Sequence, residues 1–167
     1  MSQRLDRVLA CYRIGDPDGR FPIYDAGGSR LFPGRWNSVE TPVIYASEYY
    51  STAMLEKLAH GSGRMPPNQH FIRITVPNGV SYEMVTSDVL PGWSESDRGA
   101  ARRFGHAWAS ELRSAVLIVP SYVARVERNI VINPRHEEAR AITHDLPQPV
   151  WWDERLFSAG THRSRRP

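Results

Sequence analysis

The 167-residue chain has one cysteine, Cys11, and one lysine, Lys57. A single thiol excludes an intrachain disulfide and any thiolate metal cluster. Cys11 therefore reads as a small buried strand residue. The single lysine excludes a P-loop, because Lys57 is not preceded by the required glycine. Gly61-Ser62-Gly63 meets Pro66 where a dinucleotide-binding fingerprint needs its third glycine, so neither common phosphate cradle is present. His136-Glu137 lacks a second histidine at the spacing that sets two zinc ligands on one helix face, and His144 lies too far along; no metal site is expected. No G-x-S-x-G elbow supports Ser121 as an acylated nucleophile, which leaves it a polar contact. No apolar run approaches the ~20 residues of a membrane span, and the first fifteen residues lack the long apolar region of a signal peptide. The expectation is a cytoplasmic protein with no membrane association.

Apolar residues make up 41% of the chain and charged residues 23%, the composition of one folded domain with a real core. We read a single domain over 1–161 and a basic, solvated tail over 162–167. Lys and Arg outnumber Asp and Glu by 21 to 18, and the three arginines of the terminal HRSRRP account for that excess. No basic stripe with interleaved aromatics precedes the tail, so direct nucleic-acid binding is the weakest reading.

Short β-rich runs separated by turns and two helical segments predict a mixed α/β fold. Residues 8–14 read as a strand, and 15–38 as a long functional loop. The apolar run 43–46 precedes a helix over about 47–60, with Ser47 as its N-cap and Gly61 and Gly63 stopping it. Strands over 71–76 and 80–84 flank Pro77-Asn78-Gly79, a hairpin signal. A second helix over 96–114 places Ala100, Phe104, Ala107, Trp108 and Leu112 on one face. Residues 116–119 and 127–132 read as buried strands, and 150–157 as a closing strand-like segment.

The most informative stretch is GRWNSVETPVIYASEYYSTAMLE, 34–56. It brings together a guanidinium that matches a pyrophosphate, aromatic faces on which a heterocycle stacks, and a carboxylate that can stabilise a sugar cation. Arg13, in an apolar strand, must meet an anion: a dinucleotide's pyrophosphate or a structural acid. Tyr45 reads either as a stacking platform or as a core tyrosine with a bonded hydroxyl. Glu56 reads either as the catalytic carboxylate or as a solvated surface acid. Trp36 is assigned to packing, and Asn37 to a donor toward the loop or a ribose.

Tyr12-Arg13, GRWN at 34–37, TPVIYAS at 41–47, STAMLEKLAH at 51–60, SAVLIVPS at 114–121, ERNIVINPRH at 127–136 and a closing WDERLF occur in the order found in the RES-domain family. The sequence resembles that family over about residues 8–157. The resemblance implies an ADP-ribosyltransferase-like fold, a compact α/β core of two small mixed sheets with flanking helices. It also implies a toxin of a bacterial toxin–antitoxin pair, neutralised by an Xre-type helix-turn-helix antitoxin. Through that partner alone would it reach nucleic acid. NAD+ is then the substrate and no true cofactor is needed, with water, inorganic phosphate or a protein as the acceptor.

By position, the resemblance assigns catalytic roles to Glu56, Arg35 and Ser121. It assigns NAD+ contacts to Arg13, Arg35, Tyr45 and Ser121, and we add Tyr12 and Asn37 as further candidate contacts. Ser121 would bond the nicotinamide ribose or orient Glu56; the plain alternative is that it caps a turn. Pro33 and Glu40 depart from the family's usual pattern, placing a rigid residue and a negative charge beside the expected phosphate site. The oligomeric state, a homodimer included, is left open.

Overall fold

Period-2 alternation in the apolar runs buries both faces of the central strands. The computed structural model describes residues 2–62 and 64–157, so the terminal tail and the Gly63 stop signal lie outside the described residues. Its strands are β1 (Gln3–Arg4), β2 (Leu9–Gly15), β3 (Ile44–Ser47), β4 (His70–Val76), β5 (Ser81–Met84), β6 (Val116–Pro120), β7 (Arg128–Ile132), β8 (Thr143–His144) and β9 (Gln148–Pro149). The helices are α1 (Gly27–Leu31), α2 (Tyr50–His60) and α3 (Gly99–Ser110). In β6 and β7, Val116, Ile118, Ile130 and Ile132 enter one apolar cluster with Cys11, Ile72 and Ile74. Their neighbours Leu117, Val119 and Val131 enter another with Trp36, Trp93 and Trp108. Side chains of successive strand residues point to opposite faces, so a continuous apolar run implies cover on both. No helix among the described residues is long and apolar enough to cross a membrane.

The mixed α/β class holds, but the strands form one hydrogen-bonded sheet where two were expected. Its order is β1-β5-β6-β7-β3-β2-β4-β8, with β9 also pairing β4. Among the described strands only β5 and β6 run parallel. The two-sheet expectation survives as a narrow seam: β2 and β3 share the single pair Tyr12–Ser47. β2 by contrast pairs with β4 along its whole length, from Leu9–Val76 to Gly15–His70. The half-sheets part at that seam, and the cavity described below opens there.

Several local expectations change. No hairpin joins β4 to β5: the turn at Gly79 bonds back to Leu5, and β5 lies between β1 and β6. Ser47 ends β3 instead of capping α2, whose N-cap is Tyr49 without a side-chain bond. The 15–38 loop contains the short α1. Residues 150–157 are irregular with a 3-10 turn at Glu154–Leu156, because Pro149 ends β9 and Trp152 packs edge-on to Phe157.

α3 is shorter than expected, and its buried residues are Ala101, Gly105, Trp108 and Ala109, while Leu112 is exposed. Gly105 sets that face. A Cβ there would lie inside the van der Waals shell of the Trp36 carbonyl, so the helix presses directly on the backbone of the 34–37 loop. Cys11 is fully buried in β2, and desolvation pushes its thiol pKa up to about 12.

Candidate active site

The seam between β2 and β3 opens into a cavity of about 700 Å³, within the ordinary range for small-molecule sites. Tyr12, Arg13, Arg35, Tyr45 and Glu56 all line it. They come from four pieces of chain, β2 for Tyr12 and Arg13, the 34–37 loop, β3 and α2, and the fold brings these predicted residues together on one wall system.

Glu56 arrives on α2. Thr52 and Glu56 are four residues apart and share a helix face. That face meets the 121–129 segment: the Thr52 hydroxyl donates to the Glu127 carboxylate, and Glu56 Oε1 accepts from Ser121 Oγ at 2.9 Å and from Asn129 Nδ2 at 2.6 Å. Asn129 is itself held by Ser47 Oγ, which donates to its Oδ1 at 2.8 Å. Glu56 Oε2 takes no hydrogen bond from any described residue. One oxygen of the half-buried carboxylate is thus fixed and the other is bare.

Arg13 spans the seam. Its Nε donates to the Ile23 carbonyl at 2.6 Å and its NH1 to the Tyr45 carbonyl at 2.7 Å. The guanidinium thereby satisfies a β3 carbonyl across the split from β2. The expectation of a structural acid is not met: no carboxylate among the described residues forms an ion pair with Arg13. Burial lowers its pKa from the ordinary value, with Asp25 and Tyr45 acting in the opposite direction.

The Arg35 loop is folded by Asn37. Asn37 Oδ1 accepts from Gly34 N at 2.8 Å and from the Tyr45 hydroxyl at 2.9 Å, while its Nδ2 donates to the carbonyls of Ser29 and Ser38. Tyr45 also accepts from Trp36 N at 3.0 Å, and Gly34 lies so close to the tyrosine ring that a Cβ would come within 2.7 Å of Cζ. This cage presents Arg35 to the cavity. Its NH1 donates to the carbonyls of Trp93 at 3.0 Å and Glu95 at 2.8 Å, and its Cζ stands 4.2 Å from the centre of the Tyr122 ring. Burial lowers the Arg35 pKa, as do Arg98 and Arg125; Tyr122 and Glu56 oppose the shift.

Two assigned contacts are displaced. Asn37 and Ser121 are fully buried behind the wall, so their geometry offers support to the loop and to Glu56 and no direct contact with a bound molecule. Ser121 also closes a turn, accepting from Ala124 N at 3.1 Å. The Tyr45 hydroxyl is engaged within the loop, so only its ring is available to the cavity. Trp36 is core, 6.3 Å from Trp93 in a stacked arrangement. Glu40 is exposed and outside the wall, so its charge does not face the arginines.

Sequence reasoning missed Asn129, Arg98 and the placement of Lys57. No local signal points to Asn129, which precedes the apolar run Ile130-Val131-Ile132. Arg98 lines the cavity from the N-cap of α3, with its backbone in the left-handed region at φ 58°, a conformation that non-glycine residues seldom adopt.

The described fold resembles that of the toxin in a solved Mycobacterium tuberculosis MbcT–MbcA toxin–antitoxin complex, with a TM-score of 0.69 at 18% identity over 87% of this chain and 85% of that one. A protein of Sphingobium sp. (strain YBL2) called Prs ADP-ribosylating toxin is 38% identical over 135 residues, spanning 78% of this chain and 84% of that protein. One from Pseudomonas putida KT2440 called Toxin Res is 32% identical over 134 residues, 78% of this chain and 90% of that protein. Residues 10–153 match the RES domain, which carries every wall residue named above, and the chain belongs to the RES-domain family.

Proposed function

We propose that this protein cleaves the bond between nicotinamide and ribose in NAD+, as a glycohydrolase or phosphorylase. The observation that carries this reading is the bare Oε2 of Glu56 on a cavity wall that also bears Arg13, Arg35 and Arg98. Breaking that bond builds positive charge on the ribose. A carboxylate held beside the ring stabilises the transition state more than the ground state. Arg13 and Arg35 supply planar donors for the two pyrophosphate charges, and the Tyr12 and Tyr45 rings supply faces for the bases. Asn129 and Ser121 hold the carboxylate in place. Water or inorganic phosphate then captures the ribosyl centre, so NAD+ is a substrate and not a cofactor.

The test is purified protein incubated with NAD+ alone, with and without phosphate. Glu56→Ala should lower turnover by about two orders of magnitude or more, the scale of a lost preorganised electrostatic contact. Normal turnover by a folded Glu56→Ala protein refutes the assignment.

The name of the Sphingobium relative favours a second reading of the same pocket, ADP-ribosylation of a protein acceptor. That reading predicts slow NAD+ loss until the acceptor is added, and transfer of label from NAD+ to protein. In either case we place the protein in the cytoplasm as the toxin of a toxin–antitoxin pair restrained by an Xre-type antitoxin. The relatives called toxins and the fold neighbour solved as a toxin–antitoxin complex support this. Growth arrest on expression, relieved by co-expression of an Xre-type helix-turn-helix antitoxin, is the check.

A further inference from the structure

Lys57 follows Glu56 on α2, half-buried, and lines the same cavity. Its ammonium forms no ion pair with a described carboxylate. A lysine normally keeps its charge in water or meets an acid, and this one does neither fully. Burial lowers its pKa first and the neighbouring Arg13 guanidinium second, against the opposing pull of Asp16. A desolvated amine beside a second cation is the arrangement that makes lysine a nucleophile toward carbonyl carbon. Arg13 directs one N–H to Ile23 and one to Tyr45, out of the five a guanidinium carries. The remaining donors suit a phosphate.

We infer that Lys57 and Arg13 form an imine-forming site for an aldehyde that carries a phosphate group. The neutral amine adds its lone pair to the aldehyde carbon, and a proton passes from nitrogen to the new alkoxide. Loss of that hydroxyl as water, with loss of the second amine proton, leaves a C=N bond to Nζ. Nothing is oxidised or reduced. An aldehyde held this way fills the cavity, so the site doubles as a reversible covalent block on whatever else binds there. One source lies within the proposed reaction: ADP-ribose released by water carries an aldehyde in its ring-opened form. Only that source rests on the NAD+ reading.

The experiment treats the whole protein with pyridoxal 5′-phosphate or with pyridoxal, traps imines with borohydride and maps the adduct by mass spectrometry. Each rate is normalised to that of N-acetyl-lysine with the same aldehyde. The folded protein should be modified at Lys57 at least ten-fold faster than the urea-unfolded chain, and the phosphate-bearing aldehyde should be favoured at least ten-fold. Folded Lys57→Arg protein, its fold checked by circular dichroism, should carry adduct only at the amino terminus. Equal rates in folded and unfolded protein, or an adduct at the amino terminus alone, would overturn the site. Equal normalised rates for the two aldehydes would overturn its phosphate half. ADP-ribose as a third probe separates the sources: an adduct at Lys57 in a protein that does not consume NAD+ keeps this site while removing the NAD+ reading. No adduct with ADP-ribose eliminates that product as a source.

Discussion

Asn129 Nδ2 donates to Glu56 Oε1 at 2.6 Å, and the other oxygen of that carboxylate is left without a described donor. Asn129 is therefore a positioning residue. Asn129→Ala should reduce kcat for NAD+ by about 10- to 100-fold, the range of a lost hydrogen bond to a charged group, with KM changed by no more than about three-fold. Asn129→Asp should fall at least as far, since it sets a second carboxylate against the first. Paired with Ser121→Ala, the losses should be less than additive, because both donors fix one oxygen. A KM effect without a kcat effect would remove Asn129 from this role.

Arg35 is braced by two carbonyls and a tyrosine face, so its guanidinium is preorganised. Arg35→Ala should raise the KM for NAD+ by about ten-fold or more while leaving kcat less affected, as expected for binding that is uniform between ground and transition states. Arg35→Lys should not restore it, because an ammonium cannot reproduce the planar fork. Steady-state kinetics with a lysine variant equal to the wild type would make Arg35 a simple charge.

Gly105→Ala places a methyl group against the Trp36 carbonyl, where backbone and not a flexible side chain must yield. Overpacking of this kind costs about 1–3 kcal/mol or more. The urea midpoint should fall accordingly, and activity should fall with it because the same backbone carries the Arg35 loop. An unchanged midpoint would mean that α3 can slide away from the loop.

Glu138 ties the 3-10 turn Glu137–Ala141 to the strands. Burial alone would raise its pKa, but hydrogen bonds from Ser81, and then Arg4, outweigh it and hold the carboxyl near 2 against an ordinary 4.5. The folded pKa lies below the unfolded one, so the stabilisation is complete above about 4.5 and disappears as pH falls toward 2. Glu138→Gln should cost about 2 kcal/mol at pH 7, discounted for the exposed Arg4 side of the pair. The gap between the two proteins in chemical denaturation should close on acidification through that window. A gap independent of pH would assign the effect to packing.

What could be read in the chain was local or chemical. β6 follows from a continuous apolar run, and the end of α2 follows from Gly61. Arg13 stands out because a charge in an apolar strand requires a partner, whereas Glu56 and Arg35 are singled out through the resemblance to the RES-domain family. The β4–β5 hairpin failed because a turn signal fixes where the chain reverses and not which strand it then joins. β5 found β6 across more than thirty residues of intervening chain. Asn129 escaped for the same reason: its tie to Glu56 depends on β7 lying beside β3, a long-range register with no local trace. The Ser47 cap failed because the strand continued through it to pair with Asn129.

The seam also orders events in time. Strand β3 lies between β2, made early, and β7, made late, and the donor that fixes Glu56 is carried by β7. A ribosome-bound chain that has released Arg13, Arg35 and Glu56 still lacks the strand that locks the carboxylate. The carboxylate is therefore locked only once β7 has been made, 73 residues of chain after Glu56 itself.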